Sequence, residues 1–180
     1  MIHRIVLTGA PASGKSTGLK KLGANPALKD FVFLEELARQ LLSARPDFRN
    51  NWAEFHREIY TRQLAREDEL IGRSFITDRG TADAFAFHPE TMKEYRTTLE
   101  SEYNRYTAVI QLGSTAGLGI DYFRQDEIRN ETIDEVRTME TATSRVWCGH
   151  RNYHFVPAKE DFVHKLRCAV DTVLSLINSK

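Results

Sequence analysis

Cysteine is scarce in this sequence, and neither sign of charge is in excess. The two cysteines, Cys148 and Cys168, are too few for a disulfide framework, and so small a number is typical of proteins in a reducing compartment. Lysine plus arginine number 25, and aspartate plus glutamate also number 25. The chain therefore lacks the bulk basic field that nucleic-acid-binding proteins usually carry.

Long apolar runs are missing as well. No run approaches the roughly 20 residues that a membrane-spanning helix needs. The first apolar run begins at Ile5, which leaves no room for a signal peptide before it. We therefore expect a cytoplasmic protein with no membrane partner. The length of 180 residues suits one domain covering residues 1–180.

Residues 5–17 contain the strongest signal in the chain. The apolar residues 5–7 are typical of a buried strand, and the spacing Gly-x-x-x-x-Gly-Lys-Ser that follows predicts a phosphate-binding loop leading into a helix. The glycines permit backbone angles at which N–H groups point towards phosphate oxygens. The lysine supplies a mobile positive charge, and the serine hydroxyl is a ligand for Mg²⁺. The predicted nucleotide-binding residues here are Gly9, Ala12, Ser13, Gly14, Lys15, Ser16 and Thr17.

Strand-like and helix-like segments alternate along the rest of the chain. Repeats at three- and four-residue steps predict helices, among them one over residues 92–106. Trp52 and Trp147 are expected in the core. Such alternation predicts a mostly parallel sheet covered by helices on both faces, with ligands beyond the carboxyl ends of the strands. The later apolar runs that predict strands are 31–34, 74–77, 107–112 and 153–156.

Two charged residues follow the third predicted strand. Asp78 would lie beside the phosphate loop if that strand neighbours the first one, and a carboxylate there can hold Mg²⁺ directly or through water. The alternative is that Asp78 caps the helix beginning near Thr81. For Arg79, contact with phosphate oxygens and an ion pair with an acid are both open.

Two acids, Glu35 and Glu36, follow the second predicted strand and open a helix. The helix dipole alone favours acids in a first turn, which accounts for one of them. Consecutive side chains point in different directions, so the other can face the cleft and orient or deprotonate an acceptor hydroxyl. We expect Glu36 to be that residue.

A glycine-hinged segment near residues 114–130 is predicted to be a lid. It would close over the phosphates and bring Arg124 and Arg129 to the transferring group. An ordinary surface loop with solvated charges is the alternative. Pro157, after the fifth predicted strand, lies where an adenine-contacting loop is expected.

Taken together, these motifs resemble a family of P-loop kinase-like, AAA-type ATP-binding domains related to ribosylnicotinamide kinase modules. The matching stretches read G-A-P-A-S-G-K-S-T, F-L-E-E-L-A-R, I-T-D-R-G-T-A-D-A-F-A-F, R-N-E-T-I-D-E-V and V-P, in the family's order. The resemblance implies a three-layer P-loop NTPase fold of the nucleoside or nucleotide kinase type, with five parallel strands in the order 2-3-1-4-5.

The resemblance also implies roles for individual residues. It matches Glu36, Asp78, Arg79 and Arg129 to functional residues of the family, and together with Lys15 of the phosphate loop they form the predicted catalytic set. The predicted metal ligands are Ser16 of the loop and Asp78. Asp83 matches a family acid that can contact substrate. An acceptor pocket is implied between the segment after Glu36, the helix over residues 52–60 and the corner at residues 78–83.

The function that follows is phosphoryl transfer from ATP with Mg²⁺ to a small acceptor, a nucleoside or nucleotide. Two alternatives stay open, an ATPase used as a switch or accessory module and a polynucleotide 5′-kinase. A GTP switch is disfavoured because no Asn-Lys-x-Asp motif occurs. The polynucleotide alternative needs a basic groove, whereas helical spacing favours pairing with Glu54, Glu58 and Glu67. The arginines concerned are Arg45, Arg49, Arg57, Arg62 and Arg66.

Overall fold

The central element of the fold is a five-stranded parallel sheet. The computed structural model describes residues 1–119 and 131–178. The strand order is β2-β3-β1-β4-β5, which confirms the order that the family resemblance implies. The strands are β1 (Arg4–Thr8), β2 (Val32–Leu34), β3 (Phe75–Asp78), β4 (Ala108–Leu112) and β5 (Tyr153–Val156).

Strand β1 lies between β3 and β4, and this position brings the predicted site residues to one edge. Leu7 pairs with Asp78 on β3, and Thr8 pairs with Gln111 on β4. All pairs are parallel, so the carboxyl ends of the strands meet at the same edge of the sheet. The segment that follows β1 therefore starts beside the end of β3.

Helices cover both faces of the sheet, as predicted. Within the part of the chain that the structure describes, no helix is long and apolar enough to cross a membrane. Short 3₁₀ turns occupy Pro26–Leu28, Pro46–Asn50 and Thr115–Gly117. The α-helices are α1 (Lys15–Gly23), α2 (Leu37–Ala44), α3 (Trp52–Asp68), α4 (Asp83–Phe87), α5 (Glu90–Glu94), α6 (Leu99–Tyr103), α7 (Ile133–Trp147) and α8 (Phe162–Asn178).

Alternation along β1 divides the core into two layers. Ile5 and Leu7 face one layer, where they pack with α1 and α8, and Val6 faces the other, which contains Phe85 and Trp147. Successive side chains of a strand point to opposite faces, so a fully apolar run such as Ile5–Leu7 requires cover on both sides. The three-layer α/β architecture follows from this pattern.

The single helix predicted over residues 92–106 is wrong. Two short helices, α5 and α6, occupy this region, separated by residues 95–98. Arg96 has a positive φ of 51°, which no α-helix accommodates, and Thr98 then caps α6 by accepting a hydrogen bond from the Ser101 N–H. The apolar spacing persists across the break because both helices present apolar residues to the same core.

The two tryptophans differ in environment, and the prediction for Trp52 is wrong. Trp147 is fully buried, whereas Trp52 is 51% exposed and lines a cavity. The helical period places an apolar residue on a face, but it does not distinguish a face against the core from a face against a cavity.

Trp147→Ala is expected to lower the free energy of unfolding by about 3–5 kcal/mol, because it removes a fully buried ring of the second layer. The measurement is urea unfolding followed by circular dichroism. Trp52→Ala is the matched control, since half of its surface already meets water, and we expect a loss below about 1 kcal/mol. Equal losses for the two variants would contradict this difference in burial.

Candidate functional site

The loop between β1 and α1 has a backbone that glycine makes possible. Gly9 has φ +142° and Gly14 has φ +86°, and Ala12 between them also lies in the left-handed region at φ 58°. A Cβ added at Gly9 would lie 2.4 Å from the Leu112 carbonyl oxygen at the end of β4. No side chain fits at that distance, so the loop can approach β4 this closely only with glycine.

Lys15 is buried at the start of α1, with its ammonium group turned into the loop. Its Nζ donates hydrogen bonds to the carbonyl oxygens of Gly9, at 2.9 Å, and Ala10, at 3.1 Å. Burial lowers the pKa of Lys15 to about 8, the nearby Arg79 acts in the same direction, and the Asp78 carboxylate opposes both. The buried ammonium group is thus held inside the loop, where an anionic ligand would stabilise it further.

Asp78, at the end of β3, faces Ser16 across the edge of the sheet. The Ser16 hydroxyl donates to Asp78 Oδ2 at 3.4 Å, and Asp78 Oδ1 is buried with no hydrogen-bond partner among the described residues. Burial raises the pKa of Asp78. The positive charge of Lys15 lowers it, but by less, so the pKa is raised overall. The carboxylate makes no capping hydrogen bond within residues 1–119 and 131–178, so the alternative of a helix cap is not supported.

The donor set of this pair fits a hard divalent cation. A serine hydroxyl and a carboxylate with one unpaired buried oxygen are both oxygen ligands, and Mg²⁺ usually takes one or two protein ligands together with phosphate and water oxygens. Among the described residues no group of three or more His, Cys, Asp or Glu side chains could hold a metal. The site therefore fits a cation shared with a phosphate ligand rather than a closed protein cage.

Arg79 connects the second and third strand ends through ion pairs. Its guanidinium lies 3.2 Å from Glu36 Oε1 and 3.2 Å from Asp83 Oδ1, and its backbone has a positive φ of 70°. Burial opposes the protonated form, yet the Glu36 and Asp83 carboxylates raise the pKa of Arg79 overall. Of the two alternatives for Arg79, the structure shows the ion pair with acids.

Asp83 is committed to internal hydrogen bonds. Its carboxylate accepts from the Thr8 hydroxyl, the Gly80 N–H and Trp147 Nε1, in addition to Arg79. Four donors satisfy both oxygens of a side chain that is 2% exposed. Asp83 therefore fixes the position of Arg79, and its carboxylate oxygens are already paired within the fold.

Glu36, unlike Glu35, lines the cavity beside the loop. Burial raises the pKa of Glu36, but the charges of Arg79 and Lys15 outweigh it and lower the pKa overall. The Glu36 carboxylate is therefore ionised at neutral pH. Glu35 is exposed, and its carbonyl oxygen accepts a hydrogen bond from Arg66.

One cavity of about 920 Å³ joins the loop to the helices α2 and α3. Its first half is formed by the loop with Asp78 and Arg79, and its second half lies between α2, α3 and α4. These are the segments between which the resemblance implies an acceptor pocket. The predicted nucleotide-binding residues that line it are Ala12, Ser13, Gly14, Lys15, Ser16 and Thr17.

Aromatic rings form the second half of the cavity. His56 on α3 stacks against Phe87 on α4, with ring centroids 5.9 Å apart and an angle of 23° between the ring planes. The ring centroids of Trp52 and His56 are 6.2 Å apart. Burial, together with the charges of His88 and Arg79, lowers the pKa of His56 to about 4. His56 is therefore a neutral ring at physiological pH. Sequence periodicity did not single out His56 or Phe87.

Among the described residues, two of the predicted site residues, Gly9 and Pro157, do not line the cavity. Pro157 is exposed, and its backbone lies beside Gly113 after β4. Arg124 and Arg129, the predicted lid arginines, lie outside the described residues. Their roles remain predictions.

The arginines considered for a basic groove are mostly paired with acids. Arg62 lies 2.7 Å from Glu58, as helical spacing predicts. Arg45 lies 2.6 Å from Asp47 and 3.5 Å from Glu54, which is on a different element. Two ion pairs differ from the predicted ones: Arg57 pairs with Glu94, and Glu67 pairs with Arg105, which is not one of the five arginines. Three of the five arginines, Arg45, Arg57 and Arg62, thus form ion pairs with acids, which reduces the free positive charge that a polynucleotide would meet.

Sequence analysis missed Lys165, which is fully buried on α8. Its Nζ donates to the Ser13 carbonyl oxygen at 2.7 Å and to the Gly113 carbonyl oxygen. A signal was present in the sequence, since Lys165 falls three residues after Phe162 and four before Ala169, within the apolar face of that helix.

A glycine-lined phosphate cradle on the central strand of a parallel sheet, with an acid ending the adjacent strand, defines the class of P-loop kinases and ATPases. Within that class the chain belongs to the AAA domain family, whose model matches residues 4–165. This match confirms the resemblance to AAA-type P-loop domains.

Solved structures show the same fold. A shikimate kinase from Acinetobacter baumannii, solved in complex with shikimate, superposes with a TM-score of 0.64 over 98% of this chain and 93% of that chain, at 13% identity. Identity this low is evidence for the fold alone. No curated protein sequence matches the chain significantly.

Proposed function

We propose that the chain is a kinase that transfers the terminal phosphoryl group of ATP to a hydroxyl of a small acceptor, a nucleoside or nucleotide. The observation that carries the proposal is the single cavity of about 920 Å³ that runs from Lys15 to the aromatic rings on α3 and α4. A hydrolase needs room for a nucleotide tail and water, whereas this cavity has a second, largely apolar half beyond the phosphate cradle.

The residues of the cradle would divide the work between binding and charge stabilisation. The loop amides and Lys15 would bind the polyphosphate, and Ser16 and Asp78 would hold Mg²⁺, whose positive charge stabilises the phosphates during transfer. Glu36, ionised and next to the loop, would orient the acceptor hydroxyl and accept its proton. Arg79 would hold Glu36 in place, and Arg124 and Arg129 would close the site from the lid.

The second half of the cavity supports a planar acceptor. Neutral His56 and the ring of Phe87 both line the cavity, and aromatic rings there suit stacking with a base. Arg39 and Arg49 also line the cavity, and no ion pair involves either of them among the described residues. A nucleoside, or a nucleotide with its own phosphate near these arginines, matches both features.

Transfer to a small molecule is compatible with the fold of this chain. The shikimate kinase with the same fold is named for, and holds, a small acceptor, shikimate. The present cavity is lined by aromatic rings as well as by Arg39 and Arg49. The acceptor proposed here therefore combines a planar ring with, in the case of a nucleotide, an anionic group.

Incubation with γ-labelled ATP, Mg²⁺ and a panel of nucleosides and nucleoside monophosphates tests the proposal. We expect label on at least one member of the panel. Glu36→Gln should reduce transfer about 10²–10⁴-fold, because the amide cannot accept the proton, while ATP binding stays within a few-fold. Label recovered only as free phosphate, in amounts unaffected by any acceptor, would contradict the kinase and favour the ATPase alternative.

A further inference from the structure

A buried ammonium group lies behind the phosphate cradle, on the helix that follows β5. Lys165 is 0% exposed, and its Nζ donates a hydrogen bond of 2.7 Å to the Ser13 carbonyl oxygen and another to the Gly113 carbonyl oxygen. Ser13 belongs to the loop, and Gly113 follows β4. One side chain thus connects α8, the loop and the central sheet.

The contact with Ser13 determines the direction of a neighbouring amide. In a planar trans peptide the C=O and the following N–H point to opposite sides. Because the Ser13 carbonyl points at Lys165, the N–H of Gly14 points away from it. Gly14 lines the cavity and stands at the N-terminus of α1, where free N–H groups bind phosphate oxygens.

Phe162, one turn earlier on the same helix, holds the other end of this peptide. A Cβ added at Gly14 would lie 2.7 Å from Cε2 of the Phe162 ring, so the ring packs directly on the glycine. Gly14 has φ +86°, a left-handed conformation that glycine adopts without strain and that leaves room for this ring. The first turn of α8 therefore contacts the Ser13–Gly14 peptide by a hydrogen bond and by van der Waals packing.

Packing alone does not explain a lysine at this position. Burial of an ammonium group is costly, and here it lowers the pKa of Lys165 to about 8, with Glu140 opposing and Lys15 adding to the shift. A methionine would fill similar space without that cost. The two hydrogen bonds are what the lysine adds.

We propose that Lys165 is a positioning residue for nucleotide binding, which orients the Ser13–Gly14 peptide so that the Gly14 N–H meets the polyphosphate. The inference rests on the proposed function, since it requires that the loop binds a polyphosphate. Lys165 itself touches no ligand in this account. It acts through the loop backbone.

The test compares Lys165→Met with wild type, using tripolyphosphate and ATP·Mg²⁺ as probes in titration calorimetry. Loss of a charged hydrogen bond to the loop should weaken the binding of both probes about 10–100-fold. In the kinase assay the KM for ATP should rise by a similar factor, with the KM for the acceptor unchanged. Arg167→Met, an exposed change on the same helix, is the matched control and should bind like wild type.

A spectroscopic readout separates positioning from a general loss of structure. In ¹⁵N-labelled wild type, tripolyphosphate should shift the Gly14 amide resonance, and in Lys165→Met that shift should be largely lost while resonances of β5 stay in place. If Lys165→Met does not fold, Lys165→Gln replaces it, because glutamine is one atom too short to span both carbonyls.

The outcomes are distinguishable. Wild type that binds neither probe would overturn the proposed function of the loop. Wild type and Arg167→Met that bind, together with a folded Lys165 variant that binds equally well and shows the same Gly14 shift, would overturn the role of Lys165 alone.

Discussion

Replacing Lys15 by alanine should abolish measurable turnover, with a loss of about 100-fold or more. The lysine ammonium is the only cation of the loop 9–17, and burial lowers its pKa to about 8 even though the Asp78, Glu36 and Asp83 carboxylates oppose the shift. A bound polyphosphate would add negative charge next to this buried ammonium group and stabilise it. The variant should therefore lose most of its affinity for ATP as well as its rate, and calorimetry with Mg·ATP together with the labelled transfer assay measures both.

The control for this variant is Lys20→Ala. Lys20 is exposed in the same helix, α1, so its removal changes the net charge equally and leaves the loop untouched. It should retain affinity and turnover within about two-fold of wild type. Unchanged turnover in Lys15→Ala, with the fold intact by circular dichroism, would contradict the assignment of the loop.

Asp78→Asn should separate metal binding from folding. Asparagine has nearly the same shape but no charge, so affinity for Mg²⁺ at this position should fall and Mg²⁺-dependent turnover should drop about 100-fold or more. Burial raises the pKa of Asp78, which means that the ionised form costs stability at neutral pH. Without ligand, the melting temperature of the variant should therefore equal or exceed that of wild type.

The measurement is a pair of thermal melts for each protein, with ATP alone and with ATP plus Mg²⁺. Wild type should gain melting temperature when Mg²⁺ is added to ATP, and Asp78→Asn should gain little. Asp30 is exposed and distant in sequence from Asp78, so Asp30→Asn should show the same Mg²⁺-dependent gain in melting temperature as wild type. A full Mg²⁺-dependent gain in Asp78→Asn would rule out a metal role for that carboxylate.

Local features of the site were predictable from the sequence. The phosphate loop depends on backbone angles and residue types within nine consecutive positions, so its spacing alone indicates it. The ends of β2 and β3 were found because apolar runs stop abruptly at Glu35 and near Asp78. The strand order came with the family resemblance, since strand pairing joins residues far apart in the chain.

Features that depend on several elements at once were not predictable. Trp52 was expected in the core because its helical face is apolar, but only the placement of α2 and α4 shows that this face borders a cavity. The break at Arg96 is set by one backbone angle. The hydrogen bonds that the Asp83 carboxylate accepts from Thr8 and Trp147, two residues of other elements, have no signal in the sequence around Asp83.

Titration of Mg·ATP into the wild-type protein tests most directly whether the turn after β1 is a triphosphate site. We predict heat of binding for one nucleotide per chain and a rise in melting temperature that grows with ligand concentration, as binding to the folded state alone requires. Folded protein that gives no heat and no rise in melting temperature would contradict the account.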